Sequence, residues 1–270
     1  MSLLNVATCF GVAATLAALM APVLVLAAQG QASPCPDQGR SGRPSHCEIR
    51  EQMLSALGGP LAVDASPNGG ITVHGWNRQE IQLRAKVVAN ADTQQEADAL
   101  AGQISVLTDG GRIRSDGPRV TGHGGWSVSF DLMVPIDSGL DLQSRNGGIS
   151  LTDVRGQIEL ATTNGGITLK NVNGDVRGHT TNGGVKVELS GDGWHGQGLD
   201  VQTKNGGAQI VVPDGYSAHL EASTKNGGVR CAFPVTVQGT VGRELSTDLG
   251  QGGAPIIIKT INGAVTIARQ

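Results

Sequence analysis

Outside its repeats, this chain has few side chains of the kinds that do chemistry, and their spacing limits what that chemistry is. Asp131, Asp137 and Asp141 form the densest acidic group. Polysaccharide hydrolysis on a β-scaffold needs two carboxylates at a suitable separation, one to protonate the leaving oxygen and one to act as base or nucleophile. These three flank Pro135, where one strand ends and the next begins, and they read better as solvated turn residues. The six histidines are dispersed, with no His-x-His or His-Glu-x-x-His spacing for zinc. His123 and His195 sit in Gly-rich loops beside Trp126 and Trp194, whose rings read as covers for the ends or edges of an apolar stack. Each Asn-Gly-Gly pair is followed by an apolar, polar, apolar run, which fits neither a calcium-binding nonapeptide nor a phosphate loop. No catalytic residue, metal or cofactor is expected.

Three basic residues stand out by position. Arg145, Lys204 and Lys225 each lie next to an Asn-Gly corner. On one edge they could meet an anionic glycan or lipid headgroup. The plainer reading is that lysines on exposed strands discourage edge-to-edge pairing. Cys35 and Cys47 flank a polar stretch and would be free to pair as a disulfide after export. Cys231 occupies an inward apolar slot and reads as a small buried hydrophobe.

The elements that must position these residues are announced by a recurring phrase: apolar, any, Ser/Thr, any, Asn, Gly, Gly/Ala, then apolar, polar, apolar. Its asparagines are Asn68, Asn146, Asn164, Asn182, Asn205, Asn226 and Asn262. The residue two before each is Ser or Thr without exception. Alternation on both sides of each corner is that of half-buried strands. From Asn146 the spacing is 18, 18, 23, 21 and 36 residues, the last being twice 18, as if one coil around Pro234 to Gly253 had lost its Asn-Gly turn. A fixed period near 20 means units that cannot bury their own faces and must stack. The expectation is an all-β β-solenoid of stacked short strands with one short helix, its asparagines forming a ladder along one corner. Because Asn-Gly is also the strongest hairpin signal, the alternative is an antiparallel β meander or sandwich.

Composition agrees with this. Gly makes up 41 of 270 residues, roughly twice the usual share of about 7%, so turns are frequent and strands short. Aromatics at 3% leave a core of Val, Ile, Leu and Ala. A net charge of −3 without a basic stripe argues against nucleic acid as a partner.

Residues 1–32 read as a signal peptide or N-terminal anchor, since Val6 to Ala28 is apolar apart from Thr8 and Thr15, although no Lys or Arg precedes the run. Residues 33–58 read as a linker with a short helix at Glu48 to Leu57, and 59–270 as the repeat domain. Within that domain Asp92 to Gln103 has helical spacing with Asp92 as N-cap.

At this point a resemblance is visible. Thr-Val-His-Gly-Trp at 72–76, Phe-Asp-Leu-Met-Val-Pro at 130–135, the serial Thr-x-Asn-Gly-Gly units, Val-Val-Pro-Asp-Gly-Tyr-Ser-Ala at 211–218 and the closing Ile-Lys-Thr-Ile-Asn-Gly-Ala-Val-Thr-Ile resemble a bacterial exported β-strand-repeat family of unknown function that carries an adhesin label. The similarity runs from about Leu61 to Ala268. It implies a β-helix-like domain in the cell envelope and transfers no site residue. The expected function is a non-enzymatic exported scaffold that meets an unknown envelope or surface component, protein or glycan. The alternatives are a polysaccharide-active enzyme on a β-helix, or an envelope sensory or regulatory module held at the membrane by its N-terminal segment. Location would be periplasmic, cell-surface or secreted.

Overall fold

The computed structural model describes Cys35 and residues 42–56, 58–234 and 242–270. Residues 1–32, read above as a signal peptide or anchor, lie outside the described residues. Strands β1 (Ser45–Ser55), β2 (Leu61–Asp64), β3 (Ile71–Trp76) and β4 (Glu80–Asn90) precede helix α1 (Gln94–Ala101), and β5 (Ser105–Asp109), β6 (Arg112–Asp116) and β7 (Gly125–Pro135) follow it. Then come β8 (Leu140–Asn146), β9 (Ile149–Thr152), β10 (Arg155–Asn164), β11 (Ile167–Lys170), β12 (Asn173–Asn182), β13 (Val185–Glu188), β14 (Gly198–Asn205) and β15 (Ala208–Val212). The chain closes with β16 (Ala218–Asn226), β17 (Val229–Cys231), β18 (Glu244–Leu249), β19 (Pro255–Asn262) and β20 (Val265–Arg269).

These strands form two ten-stranded sheets: β1-β4-β7-β3-β9-β11-β13-β15-β20-β17 and β18-β16-β19-β14-β12-β10-β8-β2-β6-β5. Each coil contributes a long strand to the second sheet, turns at Asn-Gly-Gly, and contributes a short strand to the first. Pairing between coils is parallel throughout, with Asn164 level with Asn146 and Asn182. The unit from Cys35 to Gln270 is thus a β-solenoid of two stacked-strand sheets and not a meander. Antiparallel pairs are confined to its ends, at β1–β4, β4–β7, β5–β6 and β16–β18.

The consensus explains the stacking residue by residue. Ile149, Ile167 and Val185 lie above one another inside the short-strand sheet, as do Leu151, Leu169 and Val187. All are buried in one continuous apolar cluster. Burying such a side chain stabilises by about 1.5–3 kcal/mol. From Ser144 onward the Ser/Thr of each corner is buried too, and its hydroxyl donates to the first corner glycine of the neighbouring coil: Thr162 Oγ1 to Gly147 O (2.9 Å), Thr180 to Gly165 (2.7 Å), Thr203 to Gly183 (2.7 Å). Outside it runs the amide ladder, where each Asn Nδ2 donates to the next Oδ1 at 2.7–2.9 Å. The first corner glycine admits no substitute, because a Cβ on Gly165 would lie 2.1 Å from the Gly147 carbonyl oxygen. At the second glycine the space varies with the coil: a Cβ would meet a neighbouring carbonyl oxygen at 3.0–3.3 Å on Gly70, Gly148, Gly166 and Gly184 but at 3.6 Å on Gly207, and the last coil has Ala264 there.

Coil order departs from chain order at the C-terminal end. Asn262 donates to Asn205, and Asn226 donates to Asn262. The last coil, β19 and β20, is therefore inserted between the β14/β15 coil and the β16/β17 coil, pairing in parallel with both. This overturns the expectation of a missing turn around Pro234 to Gly253. Of that stretch residues 235–241 lie outside the described set, and the rest includes β18, which folds back antiparallel on β16. The long spacing before Asn262 is the length needed to turn back and re-enter the stack.

Two further expectations are corrected at the other end. The segment read as a linker with a helix at Glu48 to Leu57 is strand β1, paired with β4 along its whole length. Its inward-side residues are polar apart from Leu54, which hides the alternation. Arg50 sits opposite buried Ala85 and donates to the carbonyls of Ile104 and Ala101 at the end of α1 (2.5 and 3.2 Å). The helix itself starts later than expected, with Thr93 as N-cap in a capping box with Glu96. It seats Ala97, Leu100 and Ala101 against the core. Cys35 and Cys47 are joined by a disulfide, their Cα atoms 5.6 Å apart, so the chain before β1 is tied to that outermost strand. Cys231 is free and half-buried at the opposite end of the same sheet.

Candidate interaction face

The outward residues of the long-strand sheet stand in three rows that cross its strands in the order β8, β10, β12, β14, β19, β16. The first row is mostly acidic, with Asp141, Glu159, Asp200 and Glu221 interrupted by Arg177 and Ile257. The third, beside the Asn ladder, reads Arg145, Thr163, Thr181, Lys204, Ile261, Lys225. Acidic and basic rows are separated by four residues of strand, about 13 Å at 3.3 Å per residue.

Arg145, Lys204 and Lys225 thus do share one edge, but they are not neighbours. Two threonines separate Arg145 from Lys204, and the inserted coil places Ile261 between Lys204 and Lys225. The same insertion brings Lys259, in the middle row, between the two lysines. Lys204, Lys225, Lys259 and Ile261 line one groove of about 550 Å³ together with Gln202 and Ser223. Glu244, on the edge strand β18 opposite Ser223, is the acid at its rim. Among the described residues none of the three lysines enters an ion pair. The short-strand face is different: Lys186 and Lys170 lie 2.6 and 3.9 Å from Glu188. The Lys186 hydrogen bond, with the charges of both lysines, holds that carboxyl below the usual glutamate range. Neither Lys259 nor Ile261 stands out in the sequence, because only the coil order shows what flanks them.

The carboxylates weighed for hydrolysis do not converge. Asp131 faces outward on the short-strand sheet near Arg84 (3.9 Å), Asp137 pairs with Arg155 (2.9 Å), and Asp141 faces outward on the opposite sheet beside Gln143 (3.1 Å). One serine, histidine and aspartate do meet on the antiparallel pair β16–β18. His219 Nδ1 lies 2.7 Å from Asp248 Oδ1, and its Nε2 lies 3.3 Å from Ser246 Oγ. The order of contacts is that of a hydrolytic triad. The setting is not: the Asp248 side chain is 67% exposed, Glu221 shares the same imidazole at 3.7 Å, and Ser246 and Asp248 stand on the edge strand β18, with His219 beside them on β16. In water the aspartate cannot impose the strong orientation and charge stabilisation that a dry site gives. Trp126 and Trp194 each donate the indole N–H to a backbone carbonyl, of Pro118 (2.9 Å) and Gly174 (3.0 Å), and so are committed to packing.

Among the described residues no helix is long and apolar enough to cross a membrane, and no group of three or more His, Cys, Asp or Glu could hold a metal ion. No curated protein matches the chain. Solved structures similar in fold include a candidate cell adhesion protein from Clostridium sporogenes ATCC 15579 (13% identity, 83% of this chain and 100% of that one, TM-score 0.47). Others are a candidate adhesin from Bacteroides fragilis NCTC 9343 (10%, 83% and 97%, TM-score 0.37) and a candidate lipid binding protein from Parabacteroides distasonis ATCC 8503 (10%, 83% and 96%, TM-score 0.28). The Toastrack DUF4097 family matches residues 71–268, a span that takes in six of the seven Asn corners and the inserted coil. On that match, this chain belongs to the Toastrack DUF4097 family.

Proposed function

We propose that the protein is a non-enzymatic, exported scaffold whose solenoid presents a flat polar wall to another component of the cell envelope or surface. The observation that carries this reading is the long-strand face: parallel strands in register, three outward rows of polar and charged side chains, and reactive groups held apart or left in water. Such a wall suits a broad, repetitive partner better than a small substrate, which needs a concave and largely apolar site. Export is supported by the apolar segment Val6 to Ala28 and by the Cys35–Cys47 disulfide, a bond that persists in oxidising compartments.

Cell fractionation of a tagged full-length chain, followed by incubation of the purified domain with washed envelope material, tests the reading. The expected result is recovery outside the cytoplasm with the cysteine pair oxidised, and saturable retention of the domain on the envelope. A chain found in the cytoplasm, or one that envelope material does not retain, would overturn it.

A further inference from the structure

The groove created by the inserted coil has a chemistry that neither flanking coil has alone. We infer that Lys204, Lys259 and Lys225, arranged around Ile261, form a binding site for an acidic polysaccharide, with sugar carboxylate or sulfate groups as the recognised charges. The inference deepens the scaffold reading by naming the partner's class and the place where it binds.

Four observations converge on it. The three lysines come from three consecutive strands, β14, β19 and β16, so Lys204 and Lys225 are two strand spacings apart, about 9.6 Å. None has an ion-pair partner among the described residues, whereas Lys170 and Lys186 on the opposite face share Glu188. Ile261, 41% exposed, is one of three large hydrophobic residues among the described ones that stand open to solvent, and it sits between two of the cations. The floor carries Gln202 and Ser223, side chains that donate to and accept from sugar hydroxyls. Cations, an apolar contact for a pyranose ring and hydrogen-bonding groups together match an anionic sugar. Glu244 at the rim opposes it. Asp200 and Glu221 stand about 13 Å along their strands from Lys204 and Lys225, but both are level with Ile257, two residues or about 7 Å from Lys259, and Asp200 accepts a hydrogen bond from Gln202 (2.9 Å), so these acids set the limit of the cationic groove on that side. The groove is open across the strands, so a chain of sugars can run through it while neighbouring residues meet the Thr181 and Gln202 side.

The site stays dark to sequence inspection because Lys204 and Lys225 then appear to be stack neighbours. Inserting β19 between them doubles their separation and supplies the third cation and the apolar contact. In a serial solenoid the same residues would form a two-lysine ridge.

The test uses the folded, disulfide-bonded domain and measures binding to polymannuronate, heparin and neutral dextran at two salt concentrations, and to phosphatidylcholine vesicles with and without phosphatidylglycerol. Three variants are compared with the parent: Lys204→Gln/Lys225→Gln/Lys259→Gln, Ile261→Ser, and Lys186→Gln on the opposite face. The inference expects binding to at least one acidic polysaccharide and none to dextran. It also expects at least tenfold weakening in the triple variant, a smaller loss for Ile261→Ser and no loss for Lys186→Gln, with unchanged melting curves. No binding to either acidic polymer, equal weakening by Lys186→Gln, or binding to anionic vesicles alone would overturn it. Retention on envelope material that the triple variant keeps in full would also overturn this site while leaving the scaffold reading in place. Loss of retention by the parent itself would instead remove that reading.

Discussion

Between β8 and β15 chain order and stack order coincide, while beyond Val212 they part company. In the first region each new coil lies on the one just made, and the hydrophobic, hydroxyl and amide rows are continuous because the sequence repeats. In the second region the same three rows are equally continuous, yet the coil between β14/β15 and β16/β17 is the last one in the chain. Thr260 donates to Gly206 (2.8 Å) and Thr224 to Gly263 (2.8 Å) with the geometry found in the regular coils. The lesson is that a repeat specifies what a coil can stack on, not which coil it is. Order must come from elsewhere, here the antiparallel pairing of β18 on β16 and the return through Gly250 to Ala254.

That contrast can be broken most severely by truncation. A chain ending at Gly250 lacks β19 and β20 and leaves β16 without its parallel partner. Hydrogen exchange is expected to show β16 and β18 losing protection by at least about 100-fold while β10 to β13 stay protected. Native protection in β16 would mean that the stack closes over the gap and that insertion is not required.

The corner glycines sharpen the comparison at the level of single atoms. Gly165→Ala forces a methyl group to within 2.1 Å of a neighbouring carbonyl oxygen, and should cost about 3 kcal/mol or more in urea denaturation. Gly207→Ala meets nothing nearer than 3.6 Å and should lie within about 1 kcal/mol of the parent, on the stabilising side if the loss of unfolded-chain entropy dominates. Equal costs for the two would refute the claim that the approach of the coils fixes Gly165 and leaves room at Gly207.

The smallest effect belongs to the N-terminal cap, where exposed polar contacts replace stacked rows. The Asp98 carboxylate takes hydrogen bonds from His46 (2.8 Å) and Gln94 (2.8 Å), and these, His46 first, hold it below its ordinary value of 3.8. A carboxyl lowered by folding contributes stability above its unfolded value, and that contribution fades as pH falls through the lower folded one. Asp98→Asn should therefore lower Tm slightly at pH 6, by about 2 °C or less for so exposed a contact, with the difference vanishing in acid below the ordinary aspartate range. A difference that grows on acidification would contradict this account.

How much of this was readable beforehand divides along the same line. The middle was legible because apolar alternation, Ser/Thr and Asn-Gly-Gly each report one fixed contact in a parallel coil. The Asn ladder and the burial of Thr162, Thr180 and Thr203 follow from that pattern alone. The ends were not, since their solutions are singular. Strand β1 carries Glu48 and Arg50 on its inward side because the end of α1 supplies carbonyls for the guanidinium, a partner 51 to 54 residues away. The candidate groove was half legible: Lys204 and Lys225 mark themselves by their place beside the corner. Lys259 joins them only through a topology that local pattern does not encode, and Arg145 lies too many strands away to take part.

The inserted coil also bears on how the chain is made. Synthesis delivers the polypeptide N-terminus first, so Asn226 and its strand emerge before the partner that will separate them from Asn205. Until the final sixteen residues, 255–270, are released, the otherwise similar neighbour invites premature docking. The middle coils emerge with their stacking partners already made, whereas the lysine groove is finished only once β19 is in place.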